Sequence, residues 1–175
     1  MATIVRAKKH LGQHFLTDKN TAKKIVEALK IDESFDTVLE VGPGMGVLSD
    51  YLLPEKAYKT YLLDIDKESI VFLKQKYAAY AEQVIEGDFL AFDFRKVTDK
   101  NCAVIGNFPY NISSQIVFKV LDNRDIVPQM VGMFQKEVAE RIAAPKDSKV
   151  YGILSVLVQA FYTVEYLFTV KPGVF

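Results

Sequence analysis

The 175-residue sequence contains a single cysteine and no long apolar run. One cysteine excludes a disulfide framework and is typical of a protein from a reducing compartment. No stretch approaches the roughly 18–20 consecutive apolar residues of a membrane span. The first ten residues are charged and precede no apolar run, which argues against a secretory signal. Because 50% of the residues are hydrophobic, a sizeable core is possible, and we expect one soluble, cytoplasmic domain.

Net charge is also absent, because 22 basic residues balance 22 acidic ones. The balance is uneven along the chain, since residues 1–30 carry a net +5 and residues 31–120 a net −5. A basic N-terminal segment on an acidic body permits a polyanionic partner that binds through one end. A solvated basic helix explains the same charges equally well, so charge alone does not decide between the two.

Short apolar runs alternate with longer segments of helical periodicity, which is the pattern of an α/β fold. Buried strands are predicted at 37–41, 60–65, 102–107 and 129–134, with a weaker strand at 83–87 and a last candidate at 163–170. Helices are predicted at 17–31, with Thr17 as N-cap, and at 67–80, 112–123 and 136–144. The alternation indicates a mostly parallel sheet with helices on both faces, and such sheets bind ligands at the carboxyl ends of their strands.

The first predicted strand runs into a glycine-rich turn, EVGPGMG at residues 40–46. Glycine permits close backbone approach and positive φ, which a ligand bound at such a turn requires. A dinucleotide fingerprint needs its third glycine at position 47, where Val47 stands. The spacing E-x-G-x-G-x-G instead resembles that of S-adenosylmethionine-dependent methyltransferases. Glu40 agrees with this assignment, because a carboxylate suits a cationic ligand and repels a pyrophosphate.

Acidic residues also follow the next two predicted strands. Asp64 and Asp66 lie about 20 residues beyond the glycine turn, where a carboxylate can accept hydrogen bonds from ribose hydroxyls. Asp66 is explained as readily as a helix N-cap. Asp88 closes the third strand and can accept a hydrogen bond from an adenine amino group. Glu40, Asp64 and Asp88 thus lie at the ends of three successive predicted strands. Together they indicate a ligand site more strongly than any one of them would alone.

The predicted strand at 102–107 ends in the sequence NFPYNIS, residues 107–113. These residues alone fit an ordinary strand-to-helix turn. They also fit a clamp for a planar amino group, because the Asn107 side-chain oxygen and the backbone near Pro109 can both accept from one exocyclic NH₂. Tyr110 can stack on the attached ring, and Pro109 rigidifies the turn. Behind the glycine turn and the acids, this clamp predicts methyl transfer to an aromatic amine.

Five motifs, in this order, resemble the KsgA-type ribosomal RNA adenine dimethyltransferases. They are LGQHFL (11–16), EVGPGMG (40–46), EGD (86–88), GNFPYNIS (106–113) and QKEVAERI (135–142), and segment 151–175 continues the resemblance. The resemblance implies a Rossmann-like, S-adenosylmethionine-dependent methyltransferase fold whose product is S-adenosylhomocysteine, with no metal. It further implies dimethylation of N6 of two adjacent adenosines near the 3′ end of small-subunit (16S) rRNA, on the immature 30S subunit. The target base must leave its stack to be reached.

The resemblance also implies roles for individual residues. Those implied at the target base are Asn107, Phe108, Pro109 and Tyr110. Those implied at the cofactor are Gln13, His14, Leu16, Glu40, Gly42, Gly44, Asp64, Ile65, Asp88, Phe89 and Asn107. Those implied at the RNA are Lys8, Lys9, Tyr110 and Phe175. The family usually has Asn where His14 stands and Glu where Asp64 stands, and we expect both residues still to bind.

The resembled family continues beyond position 175 with a Pro-rich segment, a final sheet strand and a small helical domain. Residues 1–175 are therefore predicted to be a methyltransferase catalytic domain with a basic N-terminal segment at 1–16. The last strand and the helical domain would be missing. Such a domain would have an open sheet edge, or an edge closed by a neighbouring molecule, and would bind RNA weakly.

Three other functions compete with this one. A resistance-type dimethyltransferase of large-subunit rRNA shares the glycine turn and the clamp, although NFPYNIS and QKEVAERI look more like the small-subunit group. A DNA adenine methyltransferase needs a target-recognition insertion, and none is visible in 175 residues. A non-catalytic rRNA-binding assembly factor could keep the fold, but it has no need of Asn107, Pro109 and Tyr110 together.

Overall fold

The computed structural model describes residues 5–175 and is built on a five-stranded parallel sheet. The strands are β1 (Thr37–Val41), β2 (Lys59–Asp64), β3 (Val84–Glu86), β4 (Cys102–Asn107) and β5 (Met130–Met133). Their order is β3-β2-β1-β4-β5, and all four pairings are parallel. The chain order reverses between β1 and β4, so the loops after these two strands border the crevice in which such sheets bind ligands.

Helices connect the strands and cover the sheet. The α-helices are α1 (Lys19–Glu27), α2 (Ser49–Leu52), α3 (Lys67–Lys76), α4 (Ser113–Asp122), α5 (Lys136–Ile142) and α6 (Ile153–Gln159). Short 3₁₀ helices lie at Lys9–Leu11, Ala78–Gln83, Phe89–Ala91, Phe94–Lys96 and Pro172–Val174. None of the helices within residues 5–175 combines the length and apolar character that a membrane crossing requires.

Each face of the sheet has its own hydrophobic core, because alternate residues of a strand point to opposite sides. Val104 of β4 packs in one core with Ile116 of α4. Its neighbours Ala103 and Ile105 pack in the other core with Ile25 of α1. All five residues of β1 are buried, as a parallel strand covered on both sides requires. The predicted α/β class with helices on both faces is therefore confirmed.

The four buried strands and the weaker strand at 83–87 predicted from the sequence agree with β1 to β5 to within one residue at each end. The helix predicted at 67–80 is shorter than expected. α3 ends at Lys76 because Tyr77 leaves helical geometry at φ −115° and ψ 53°, and a 3₁₀ segment follows.

The predicted N-cap of the first helix is wrong by one residue. Asp18 caps α1, because its carboxylate accepts hydrogen bonds from the backbone N–H groups of Asn20 (3.3 Å) and Thr21 (3.1 Å). Thr17 instead donates from its hydroxyl (2.9 Å) and its N–H (2.8 Å) to the carbonyl oxygen of Val174. The helix start is thereby tied to the 3₁₀ turn at Pro172–Val174.

The strand predicted at 163–170 is also wrong. This segment has no regular secondary structure and pairs with no strand in the described residues. A run of β-forming residues without a partner strand does not make a strand. It is held by other contacts, since Lys30 Nζ lies 2.7 Å from Glu165 and the Tyr162 hydroxyl donates to the Val127 carbonyl at 2.7 Å. The segment passes beside β5, and between them lies an open apolar groove of about 920 Å³.

Candidate active site

The loops after β1, β2, β3 and β4 meet at one edge of the sheet and enclose a cavity of about 100 Å³. The residues that the sequence implied for the cofactor all line this cavity: Gln13, His14, Leu16, Glu40, Gly42, Gly44, Asp64, Ile65, Asp88, Phe89 and Asn107. These residues come from segments far apart in the chain, and the fold brings them together around one cavity. Their individual roles stay predictions.

The glycine turn after β1 owes its shape to residues with positive φ. Gly42 and Gly44 have φ values of 66° and 55°, a backbone conformation that side chains disfavour. A Cβ on Gly42 would meet no atom within 4 Å, so the space beside this residue is open. A Cβ on Gly44 would lie 2.8 Å from the Phe15 ring, which therefore packs directly on the turn. Segment 11–16 thus closes over the glycine turn from above.

Glu40, which precedes the turn, is a buried acid. Only 1% of its surface is exposed, and the Ser49 hydroxyl donates a hydrogen bond to its carboxyl group at 2.6 Å. Burial raises the pKa of Glu40 to about 8, and the nearby carboxylates of Asp64 and Asp50 act in the same direction. At neutral pH the carboxyl is therefore mostly protonated. A cation bound in the cavity would favour its charged form.

Asp64, at the end of β2, braces the glycine turn. Its two carboxylate oxygens accept from the backbone N–H groups of Asp66 (2.9 Å) and Gly44 (3.3 Å). The residue is 4% exposed, and burial raises the pKa of its carboxyl group. Asp64 thus fixes the geometry of the turn besides lining the cavity. Its predicted contact with a ribose stays a prediction.

Asp66 is the N-cap of α3, which confirms the alternative to a ribose contact that the sequence analysis gave for this residue. Its carboxylate accepts from the Glu68 N–H at 3.1 Å at the start of α3. The same carboxylate contacts Lys8 Nζ at 2.7 Å and Gln13 Nε2 at 3.4 Å. Lys8 also lies 3.1 Å from Glu68, and these hydrogen-bonded acids raise the pKa of its ammonium group. Lys8, expected at RNA phosphates, is therefore used here to fasten segment 8–13 to α3.

Asp88 and its neighbour differ in exposure. The Asp88 side chain is exposed and accepts from the Leu90 N–H at 2.9 Å, which caps the 3₁₀ helix Phe89–Ala91. Phe89 is 4% exposed and belongs to the core on the α4 side of the sheet. Ile65, by contrast, is 53% exposed at the rim of the cavity. The cavity is therefore lined by buried and by exposed residues, and both sets include polar and apolar side chains.

Asn107 is held by a long-range hydrogen bond that the sequence did not reveal. Its side-chain Nδ2 donates to the His14 carbonyl at 2.7 Å, across 93 residues of chain. Because the amide nitrogen is used in this bond, the orientation of the side chain is fixed and Oδ1 is left as an acceptor. The Pro109 carbonyl accepts from the Ile112 N–H at 3.3 Å, whereas the Phe108 carbonyl accepts from no donor in residues 5–175. The two available acceptors are therefore Asn107 Oδ1 and the Phe108 carbonyl.

Phe108, one of the four residues implied at the target base, has its side chain in the hydrophobic core. The ring is 1% exposed and packs 5.1 Å from the Phe134 ring. It also fills the space beside Gly106 and Gly132, where a Cβ would lie 2.9 and 2.1 Å from its ring carbons. Phe108 therefore anchors the turn in the core, and only its backbone reaches the site.

Three aromatic rings meet beside Asn107. The His14 ring is stacked on the Tyr110 ring with 4.5 Å between centroids and 22° between planes. Phe175 presents its edge to His14 at 6.3 Å and 77°. The same three residues border the end of the apolar groove along β5. Lys9 lies exposed in the nearby 3₁₀ helix Lys9–Leu11.

Sequence reasoning missed three residues that hold the glycine turn. Phe15 packs on Gly44, as described above. The Tyr77 hydroxyl lies 2.7 Å from the Gly46 carbonyl and 2.5 Å from Asp50, and Lys76 Nζ donates to the Met45 carbonyl at 3.1 Å. Helical periodicity predicts only that Tyr77 faces the core, so no local signal marks this contact. In residues 5–175 no three His, Cys, Asp or Glu side chains come close enough to hold a metal ion.

Comparison with known proteins points to one family. The family model described as ribosomal RNA adenine dimethylase matches residues 4–175. The ribosomal RNA small subunit methyltransferase A of Cytophaga hutchinsonii is 57% identical over 171 residues, and that of Flavobacterium johnsoniae is 56% identical over 172. Both alignments cover 98% of this chain but only 66% and 65% of the relative. The chain thus spans about two thirds of the length of these relatives.

Solved structures give the same picture. A dimethyladenosine transferase from Plasmodium falciparum superposes with a TM-score of 0.70 at 37% identity, covering 83% of this chain and 52% of that one. The 23S rRNA methyltransferase ErmE superposes with a TM-score of 0.62 at 27% identity, covering 74% of this chain and 51% of that one.

The raised pKa of Glu40 predicts a specific pH dependence of stability. The folded chain keeps this proton up to about pH 8, whereas an ordinary Glu in the unfolded chain loses it near pH 4.5. The stabilisation from the bound proton is complete below the lower value and is lost as pH rises to the higher one. We therefore expect the free energy of unfolding to fall between pH 5 and pH 8 more steeply in the unsubstituted protein than in Glu40→Gln.

Urea denaturation at several pH values measures this difference. The exposed Glu82→Gln substitution is the matched control and should retain the steeper slope. Equal slopes for Glu40→Gln and the unsubstituted protein would contradict the assignment.

Proposed function

The chain belongs to the ribosomal RNA adenine dimethylase family, and on that premise we propose that it methylates N6 of adenosines in ribosomal RNA, with S-adenosylmethionine as donor. The proposed substrate is the pair of adjacent adenosines near the 3′ end of small-subunit rRNA, within the immature 30S subunit in the cytoplasm. In this proposal residues 1–175 act as the catalytic domain, with the basic segment 1–16 closest to the RNA.

The observation that carries the proposal is the fixed acceptor pair at the end of β4. Asn107 Oδ1 is held in place by the Nδ2 bond to the His14 carbonyl, and the Phe108 carbonyl stands next to it in the chain. Two acceptors on a rigid turn match the two N–H bonds of an exocyclic amino group. This turn follows β4 and the glycine turn follows β1, so the acceptors and the cavity adjoin.

The cavity residues fit a cationic nucleoside cofactor. Glu40 and Asp64 are buried carboxyl groups, and neither pairs with a basic side chain within residues 5–175. A ligand with a sulfonium and an ammonium group would compensate their burial. The cavity of about 100 Å³ is below the roughly 300 Å³ at which ligand sites begin. We therefore expect Phe15, which covers Gly44, to move outward when the cofactor binds.

The clamp would act by making a poor nucleophile a better one. The lone pair of an adenine amino nitrogen is delocalised into the ring. Acceptors at Asn107 Oδ1 and the Phe108 carbonyl favour a pyramidal nitrogen, which localises that pair and aims it at the cavity. When bound, S-adenosylmethionine supplies the electrophilic methyl group. The alkylated nitrogen then loses its proton readily, so no strong general base is needed.

A large-subunit target is the second candidate. It is favoured by the likeness to the 23S rRNA methyltransferase ErmE, which shares the fold at 27% identity. The small-subunit relatives are 56% and 57% identical over nearly the whole chain. The larger identity supports the small-subunit assignment.

The Asn107→Ala substitution tests the clamp. It removes one acceptor and the bond to His14, and we expect methyl transfer from labelled S-adenosylmethionine to unmethylated small subunits to fall about a hundredfold or more. Asn101, at the opposite end of β4, is a matched control, because its side chain bonds only to the Ser34 carbonyl at 2.9 Å. Asn101→Ala should keep the original rate. Full activity of Asn107→Ala would refute the proposed role.

The Asp64→Ala substitution tests the cofactor site. Loss of a buried, charged acceptor should raise the dissociation constant for S-adenosylmethionine about tenfold or more in isothermal titration. Because Asp64 also braces the glycine turn, Asp64→Asn is measured beside it, and thermal melting checks that both variants fold. The 3₁₀ cap Asp93→Ala serves as a control away from the cavity. Unchanged affinity in the folded Asp64 variants would remove this residue from the cofactor site.

A further inference from the structure

His14 contacts two residues of the proposed site, Asn107 and Tyr110. Its backbone carbonyl accepts the Asn107 Nδ2–H bond at 2.7 Å, and its imidazole stacks on Tyr110 at 4.5 Å. His14 also lies on the wall of both the small cavity and the large groove along β5. No other residue in the described chain bonds to Asn107 and stacks on Tyr110 at once.

The imidazole covers one face of the Tyr110 ring. A base whose amino group reaches Asn107 Oδ1 and whose ring stacks on Tyr110 has to fit beside both residues. The backbone of His14 is bonded to Asn107, and its ring continues from there onto Tyr110. A flat nitrogen heterocycle of the chain itself therefore occupies the stacking surface.

The ring is held more weakly than the backbone that carries it. Within residues 5–175 the imidazole nitrogens form no hydrogen bond and no ion pair, and the residue is exposed. Its contacts are the stack on Tyr110 and the edge of Phe175. The backbone that follows the side chain is fixed, by Asn107 at the His14 carbonyl and by the buried Leu16. The side chain can therefore rotate away while the segment stays in place.

We propose that His14 is a gating residue whose imidazole occupies the Tyr110 face in place of the target adenine and is displaced when the base enters. The proposal rests on the adenine-directed function above, and it adds that the His14 imidazole and the target adenine compete for Tyr110. Until a base arrives, the ring keeps this face of Tyr110 covered. An incoming base must then displace the His14 ring from Tyr110 and stack there in its place. The free energy of the lost His14–Tyr110 stack therefore weakens base binding.

Competition predicts that removal of the ring improves base binding. An aromatic pair contributes about 0.5–1.5 kcal/mol, so we expect His14→Ala to bind a base about two- to tenfold more tightly. His14→Phe keeps a stacking ring and should bind no more tightly than the unsubstituted protein. His10→Ala, which removes the only other histidine, should change nothing, because the His10 ring has no aromatic partner in the described residues.

The probe is a fluorescein-labelled single-stranded RNA oligonucleotide with one adenosine among uridines, and its binding is followed by fluorescence anisotropy. Dissociation constants are measured for the four proteins, and KM for small subunits is measured beside them. Tighter binding and lower KM in His14→Ala alone support the gate. Weaker or unchanged binding in His14→Ala overturns it, since a ring that helps to hold the base would give that result.

NMR separates the gate from the proposed function. In the free protein the His14 ring protons should be shifted upfield by Tyr110, and Tyr110→Leu should remove the shift. Addition of the oligonucleotide should move the His14 signals in the same direction as Tyr110→Leu. Signals that never move would overturn the gate even if methyl transfer is observed. Displacement of the ring without any methyl transfer would refute the proposed function and leave the gate intact.

Discussion

The parallel register of β1 with β2 and β4 is the constraint on which the whole site depends. Val41 lies beside Leu63, and Glu40 lies beside Ile105. Because the strands run in the same direction, the residues that follow them emerge at one edge. A slip of two residues in either pairing would move a loop by about 6–7 Å and separate it from the glycine turn. The double burial of β1 fixes this register, since a slip would also expose apolar side chains.

The edge so formed combines a rigid backbone with two buried carboxyl groups. The glycine turn is held by Asp64, by the Tyr77 hydroxyl and by Phe15, and the clamp is held by the His14 carbonyl and by the buried Phe108 ring. Glu40 and Asp64 are buried without a cationic partner in the described residues, which costs stability in the ligand-free chain. A cationic donor compensates that cost, so the electrostatics of the cavity and the geometry of the clamp favour the same chemistry.

The sequence predicted what is encoded locally. Strands covered on both faces appear as continuous apolar runs, which is why β1 to β5 were located to within one residue. The glycine spacing and the acids at strand ends likewise follow from parallel topology. Contacts between residues far apart in the chain could not be predicted from the sequence. The bond from Asn107 to His14 spans 93 residues, and the bond from Lys8 to Asp66 spans 58. Segment 163–170 has strand-forming residues but pairs with no strand within residues 5–175. Phe108 shows the same limit, because a motif gives its position in the turn but not the side to which its ring points.

The central claim is that this sheet edge presents a methyl donor to an adenine of small-subunit rRNA. The most direct measurement is to incubate the protein with S-adenosylmethionine and ribosomal subunits that lack the modification, and to map the methylated nucleotides by mass spectrometry. We expect N6-dimethyladenosine at two adjacent positions near the 3′ end of the small-subunit RNA. Methylation confined to large-subunit RNA, or none in either RNA, would contradict it.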